Sequence, residues 1–374
     1  MAVLSQLGLT LFFTSGLALT DWRAAGILER ETALYRALLP HLDRVTFITY
    51  GDGADRELVP ELGGIRVVCN HRRLPAHWYR RLLRFVPGQW RRRPVIYKSN
   101  QVQGAETALR LARRAGLPCG VRCGYLASEF AARHHGPDSP RARQARAVER
   151  EVFREADRVI VTTPAMARTV QDEYGLDPGR LRVVPNYVDT ERFRPAAGLP
   201  ETRPARILFV GRLEPQKNPL ALVAAVAGRP VELVIVGEGS LRGELERAAG
   251  PNVRFLGRRP QEELPGLLAG ASAFVLPSLY EGHPKALLEA MAAGVPAIGA
   301  DRPGLREVIR HEQSGLLCEP TAQGIGAALD RLLADAPAAR RLGLAARQQM
   351  ERDVALPRVV AQELAWLEEL AATL

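Results

Sequence analysis

Lysine is nearly missing from this chain: its 374 residues hold three, Lys98, Lys217 and Lys285, against 48 arginines. An arginine-favouring base composition accounts for the general imbalance. The surviving lysines still stand out, because an ammonium is a compact point charge and a guanidinium a planar fork. Cysteine is scarce too. Cys69, Cys119, Cys123 and Cys318 form no CxxC pair, which excludes a disulfide scaffold or zinc ribbon and suggests reduced thiols in a cytoplasmic protein. No apolar run reaches the roughly 18–20 residues that a membrane helix needs. The opening segment MAVLSQLGLTLFFTSGLALT has no positive residue before Arg23 and is broken by Thr10, Thr14, Ser15 and Gly16. It reads as a buried first strand, not a secretory signal. Low-complexity tracts and solenoid-length repeats are also lacking.

What is present is ordinary in bulk: 47% hydrophobic and 25% charged residues, a composition that folds. The length suggests two domains. Acidic residues fall short of basic ones, leaving a formal net charge of +10, so nucleic acid, anionic membrane and phosphorylated small molecules are partners to weigh.

Apolar runs alternate with helical patterns along both halves. In the first half the runs are LTLFFTS, RVTFITYG, IRVVCN, VIYKSN, CGVRCGY, RVIVTT and LRVVPN. In the second they are ILFVG, VELVIVG, VRFLG, AFVLPS, VPAIGA and SGLLCE. Strands apolar on both faces and separated by helices imply parallel sheets covered on both sides. The fold class expected is α/β: two doubly wound, Rossmann-like domains facing across a cleft. FRPAAGLPETRPAR, residues 193–206, reads as their linker. The expected division is 1–195, 196–355, and a last helix at 356–374 that packs back on the first domain.

Two stretches carry chemistry. In YEGHPKALLEAMAAGVPAIGA, residues 280–300, Glu289 is the one charge between Ala286 and Ala300, and a buried unpaired carboxylate is costly. Glu281 precedes the helix, whose start is placed at Pro284. The helix N-terminus is an anion site, and carboxylates beside it suit vicinal hydroxyls such as those of sugars. A salt bridge from Glu289 to an arginine of a neighbouring helix is the plain alternative. In VGRLEPQKNP, residues 210–219, Arg212 and Lys217 follow a strand and suit a diphosphate; a solvated basic loop is the plain alternative there.

ADRVIVTTPA (156–165), VVPNYVDTERF (183–193), ILFVGRLEPQKNP (207–219), VELVIVGEG (231–239), VRFLGR (253–258) and EGHPKALLEAMAAGVPAIG (281–299), in this order, resemble the family 4 retaining glycosyltransferases of GT-B fold. The last piece holds the E-x7-E signature. The resemblance implies a metal-independent transferase that moves a sugar from a nucleotide-diphosphate sugar to a glycan, lipid-linked glycan or small molecule, with retention. It implies that Glu281, Arg212 and Lys217 are catalytic, and that Glu289 binds the nucleotide ribose. Gly211, Gly257, Arg258, Gly282, His283, Lys285 and Ala286 would line the donor site, with Gly26 as a remnant, beside Gly16, of a glycine-rich loop. No cofactor is expected, and no metal: the D-x-E match of Asp189 and Glu191 starts in the Asn186–Tyr187–Val188–Asp189 segment, where the family has N-G-V-D. Where relatives place a histidine, this chain has VRCGY, so no histidine, His134 and His135 included, is assigned to catalysis.

On the acceptor side, Lys98 and Asn100 leave the end of one first-domain strand, and Arg122 and Tyr125 the end of another. Two other functions compete. Gly237, Gly239 and Gly243 imitate a dinucleotide fingerprint, with Arg258 and Arg259 placed for a 2′-phosphate, which suggests an NADP-dependent oxidoreductase. Residues 71–93 hold eight arginines, no acid, and Trp78, Tyr79, Phe85 and Trp90, a mixture that suits single-stranded nucleic acid or an anionic membrane surface. The membrane version is preferred over nucleic acid. It would make the protein peripheral at the inner face of the cell membrane.

Overall fold

The structure is a computed structural model that describes residues 4–85, 94–196 and 204–372. Each apolar run named above becomes a strand. In the first unit these are β1 (Gly8–Phe12), β2 (Arg44–Ile48), β3 (Arg66–Val68), β4 (Val95–Ser99), β5 (Cys119–Cys123), β6 (Arg158–Val161) and β7 (Leu181–Val183). They form a parallel sheet in the order β3-β2-β1-β4-β5-β6-β7. The second unit holds β8 (Ala205–Val210), β9 (Val231–Val236), β10 (Val253–Gly257), β11 (Ala273–Leu276), β12 (Ala297–Ala300) and β13 (Leu316–Cys318). Their order is β10-β9-β8-β11-β12-β13, again parallel. Both sheets are thus doubly wound, with one reversal of strand order each.

Local signals set the crossover helices. Pro164–Tyr174 starts at Thr163, whose side chain accepts the Met166 N–H, and stops at Gly175, φ +63°. Pro140–Glu155 starts in the same way at Ser139. Both have side-chain N-caps with proline in the first turn, and the first also has glycine at its stop.

The first unit ends at Pro185, earlier than the proline-rich stretch, of which 197–203 lie outside the described residues. Asn186 onward belongs to the second unit for a physical reason. Val188 pairs with Ala355, Phe193 is buried in the second core, and Arg347 Nη1 donates to the carbonyls of Thr190 and Phe193. The chain returns to the first unit at Val360, so most of the helix Leu356–Ala371 packs there. Its Trp366 ring fills the space over Gly120 on β5, where a Cβ would come within 2.1 Å. The four cysteines are free, and burial pushes their thiols up, that of Cys318 to about 11.

The structure corrects the reading of Lys98. It is fully buried on β4 and donates to both carboxylate oxygens of Glu363 on that last helix, at 2.8 and 2.7 Å. The Tyr35 and Trp366 rings lie 5.5 and 5.6 Å from its ammonium. Burial lowers its pKa, and the Glu363 carboxylate opposes that shift. An ammonium so enclosed ties the last helix to the sheet and offers no surface to an acceptor. Glu363→Ala would strand a buried charge and is expected to cost about 3–5 kcal/mol in urea titration. The paired replacement Lys98→Met/Glu363→Leu should recover most of that loss. Wild-type stability in the single variant would show that the pair does not hold the helix.

Candidate functional site

Doubly wound sheets bind ligands beyond the carboxyl ends of the strands where strand order reverses. In the second sheet that point lies between β8 and β11, which are neighbours although two strands separate them in sequence. The loops leaving them, 211–218 and 277–284, carry Arg212, Lys217 and Glu281. These two segments are the ones the sequence singled out, and the topology brings them together.

Lys217 forms a salt bridge with Glu281, the side chains 15% and 8% exposed. Arg212 is exposed and donates to Gln216 Oε1 at 3.2 Å. Gln216 in turn donates through Nε2 to the Tyr280 carbonyl at 2.9 Å. Asn218, held at φ +53°, donates to the carbonyls of Pro277 and Pro320. The cation-bearing loop is therefore sewn to the glutamate-bearing loop by side-chain amides. Gly304, φ +83°, lies directly against the latter: a Cβ there would sit 2.4 Å from the Glu281 carbonyl oxygen.

The helix Lys285–Ala292 begins one residue later than expected, with Pro284 as its N-cap. Leu287 and Leu288 donate back to the Pro284 carbonyl, so the first turn, with the N–H groups of Lys285 and Ala286, forms the helix N-terminus next to the loop that carries Glu281. Just before it, Asn186 grips His283 twice. Its backbone N–H donates to Nδ1 at 3.1 Å, and its side-chain Nδ2 to the His283 carbonyl at 2.6 Å. Sequence reasoning noted Asn186 only as a member of the 186–189 segment and gave it no role. Asp189, the first residue of the D-x-E match, accepts the N–H groups of Glu191 and Arg192, a turn-capping role.

Glu289 lies one turn into the helix and is 3% exposed. Gln261 Nε2 donates to its Oε1 at 3.1 Å. Gln261 follows the loop that leaves β10 with Gly257, φ +67°, and the exposed Arg258. The sequence analysis missed it, since nothing local marks a glutamine as a partner for an acid 28 positions away.

The glycine fingerprint has a different explanation. A Cβ at Gly237 would lie 1.8 Å from the Gly211 carbonyl oxygen, and one at Gly239 2.4 Å from the Leu213 carbonyl. Gly211 and Leu213 donate to the carbonyls of Val236 and Glu238. The loops after β8 and β9 touch backbone to backbone, and glycine is what that contact requires.

In the first unit the picture is mixed. Gly26, φ +68°, donates to the Arg23 carbonyl in the turn between the helices Leu19–Ala24 and Leu28–Leu38. It is a helix–helix turn glycine and lies outside the loop that follows β1. Asn100 sits where the first sheet reverses its order, between β1 and β4, and its N–H donates to the Phe12 carbonyl. Arg122, partly buried on β5, comes within 3.8 Å of Glu363. Tyr125 packs against Phe130, and its carbonyl accepts from Cys123 Sγ.

The family described as glycosyl transferases group 1 matches residues 189–349, and the glycosyl transferase 4-like domain matches residues 26–187. Glycogen synthase of Mycobacterium tuberculosis is 33% identical over 273 residues, 70% of this chain. The match spans 65% of that relative's length, a little under two thirds. Sucrose-phosphate synthase from Thermosynechococcus elongatus superposes with a TM-score of 0.79 at 22% identity, covering 98% of this chain and 100% of that one. Anabaena HepE, in complex with UDP and glucose, gives 0.77 at 18% identity, covering 97% and 99%. With both halves matched in order and the two parallel sheets in place, the chain belongs to the family 4 glycosyltransferases of GT-B fold.

Proposed function

We propose that this protein transfers a sugar from a nucleotide-diphosphate sugar to a hydroxyl of a glycan, lipid-linked glycan or small molecule, with retention at the anomeric carbon. One observation carries the reading: Arg212, Lys217, Glu281 and the N-terminus of the helix Lys285–Ala292 converge at the reversal point of the second sheet. In this reading the diphosphate takes Lys217 and Arg212 as its counter-charges, and the N–H groups of Lys285 and Ala286 add to them. As the bond from C1 to the diphosphate breaks, these groups stabilise the charge left behind. The protein's own cations thus fill the role that a metal ion plays elsewhere. Without a donor, Lys217 neutralises Glu281. Once the diphosphate draws Lys217 over, Glu281 is released to hold hydroxyls of the donor sugar. Glu289 takes the ribose diol, Gly211 and Gly282 allow close backbone approach, and the Gly257–Arg258 loop meets the base. HepE, of the same fold, is seen with UDP and glucose, which favours UDP as the first nucleotide to try.

A second reading concerns the acceptor's location. Trp78, Leu82 and Phe85 are 51%, 44% and 60% exposed. They lie on the segment Ala76–Phe85, which Tyr79 anchors by donating to the carbonyls of Thr49 and Val68. Arg81 and Arg84 lie over the Trp78 and Phe85 rings. The arginine-rich end of the basic stretch, residues 86–93, lies outside the described residues. Aromatic side chains among arginines fit an anionic bilayer surface, where a lipid-linked acceptor would lie. Among the described residues no helix is long and apolar enough to cross a membrane, so contact would be peripheral.

The donor site is tested by melting curves with UDP, GDP and ADP. A ligand at a hundredfold excess over Kd should stabilise by about 2.7 kcal/mol, and Arg212→Ala/Lys217→Ala should abolish the shift of the one that binds. A shift that survives the double substitution puts the diphosphate elsewhere. For the membrane surface, the protein should sediment with vesicles containing phosphatidylglycerol and less so with Trp78→Ala/Phe85→Ala, the binding weakening with salt. Equal binding by both proteins, or salt-sensitive binding to oligonucleotides instead, would overturn that reading.

A further inference from the structure

Glu289 stands alone as an acid in the buried run Leu287–Ala292. A glutamate carboxylate turns broadly about its last side-chain bond, so the plane of the group is set by what binds its oxygens. Gln261 is 6% exposed and donates to Oε1 from an equally buried amide. Exchanging the amide's oxygen and nitrogen would set a carbonyl against a carboxylate, so Glu289 dictates the orientation. The consequence is visible: among the described residues, Gln261 Oε1 is buried with no hydrogen-bond partner. Packing alone would be served better by leucine or methionine, which leave no polar atom unsatisfied. The glutamine tolerates an orphaned oxygen and keeps its donor on the acid.

Its position adds a second point. Gln261 opens the short 3-10 turn that ends the loop containing Gly257 and Arg258. One side chain thus joins the loop leaving β10 to the acid on the helix after β11.

We infer that Gln261 is a positioning residue for nucleotide recognition: it fixes the plane of the Glu289 carboxylate and so makes donor binding depend on the ribose hydroxyls. The inference rests on the proposal that Glu289 receives the ribose diol. Two parallel hydrogen bonds from a diol demand a defined carboxylate plane; a carboxylate free to turn holds one hydroxyl as readily as two.

The test is calorimetry on the full chain with whichever of UDP, GDP and ADP binds best, and with its 2′-deoxy analogue. Wild type should prefer the ribonucleotide by about tenfold, the scale of one hydrogen bond to a charged group. Gln261→Met should bring that ratio to within about twofold of one. Gln261→Glu should lose the preference at pH 8, where two carboxylates repel, and regain it near pH 5, where one proton shared between them restores the bridge. Protonation of the phosphates cancels in the ratio, and bulk packing is alike at both pH values. Should Gln261→Met fail to fold, Gln261→Glu decides alone. A wild-type ratio in Gln261→Met, or an equal ratio at both pH values in Gln261→Glu, overturns the inference. Glu289→Ala separates the layers: if it too keeps the wild-type ratio, the ribose assignment itself falls, and if it loses the ratio while Gln261→Met keeps it, only the positioning role falls.

Discussion

A strand can run parallel to its neighbour only if the chain first crosses back over the sheet, and the hand of that crossover is fixed. The loops that follow the strands therefore gather at one edge. When the chain leaves β8 for β9 on one side and later returns for β11 on the other, two loops must part at that edge. Much of what distinguishes this molecule follows from filling the gap they leave. Backbone contact between the loops after β8 and β9 demands Gly237 and Gly239, and Gly304 lets the chain slip beneath Glu281.

Charge is handled differently in the two units. Lys98 and Glu363 are closed away together, the ammonium meeting both carboxylate oxygens, which suits a fastening. Lys217 and Glu281 keep some exposure, which suits an exchange of partners. Glu289 accepts a neutral amide on one oxygen, a contact that brings no counter-charge of its own. The same two residue types thus form a fully enclosed pair in one sheet and a partly exposed one at the edge of the other.

The sequence made the strands easy to read, because two-sided burial leaves continuous apolar runs that need no partner to recognise. Arg212, Lys217, Glu281 and Glu289 could be singled out as candidates because each stands at a fixed offset from a strand or helix end. Lys98 misled for the opposite reason. Its place near a strand's end suggested the site, while the residue that explains it lies 265 positions away. Gly26 was misread since a turn between two helices and a loop after a strand call for the same residue. Asn186 and Gln261 were passed over because their meaning lies in His283 and Glu289, and side-chain amides carry no pattern of their own.

The helix Leu356–Ala371 has a consequence for how the molecule comes into being. Trp366 covers Gly120 and Glu363 neutralises Lys98, yet both are made only after the whole second unit has left the ribosome. Until then the first sheet has an uncovered glycine and an unanswered ammonium in its interior. The unit that begins first can be finished only last, so during synthesis the nascent chain exposes an unsealed N-terminal sheet while the later one is already able to close.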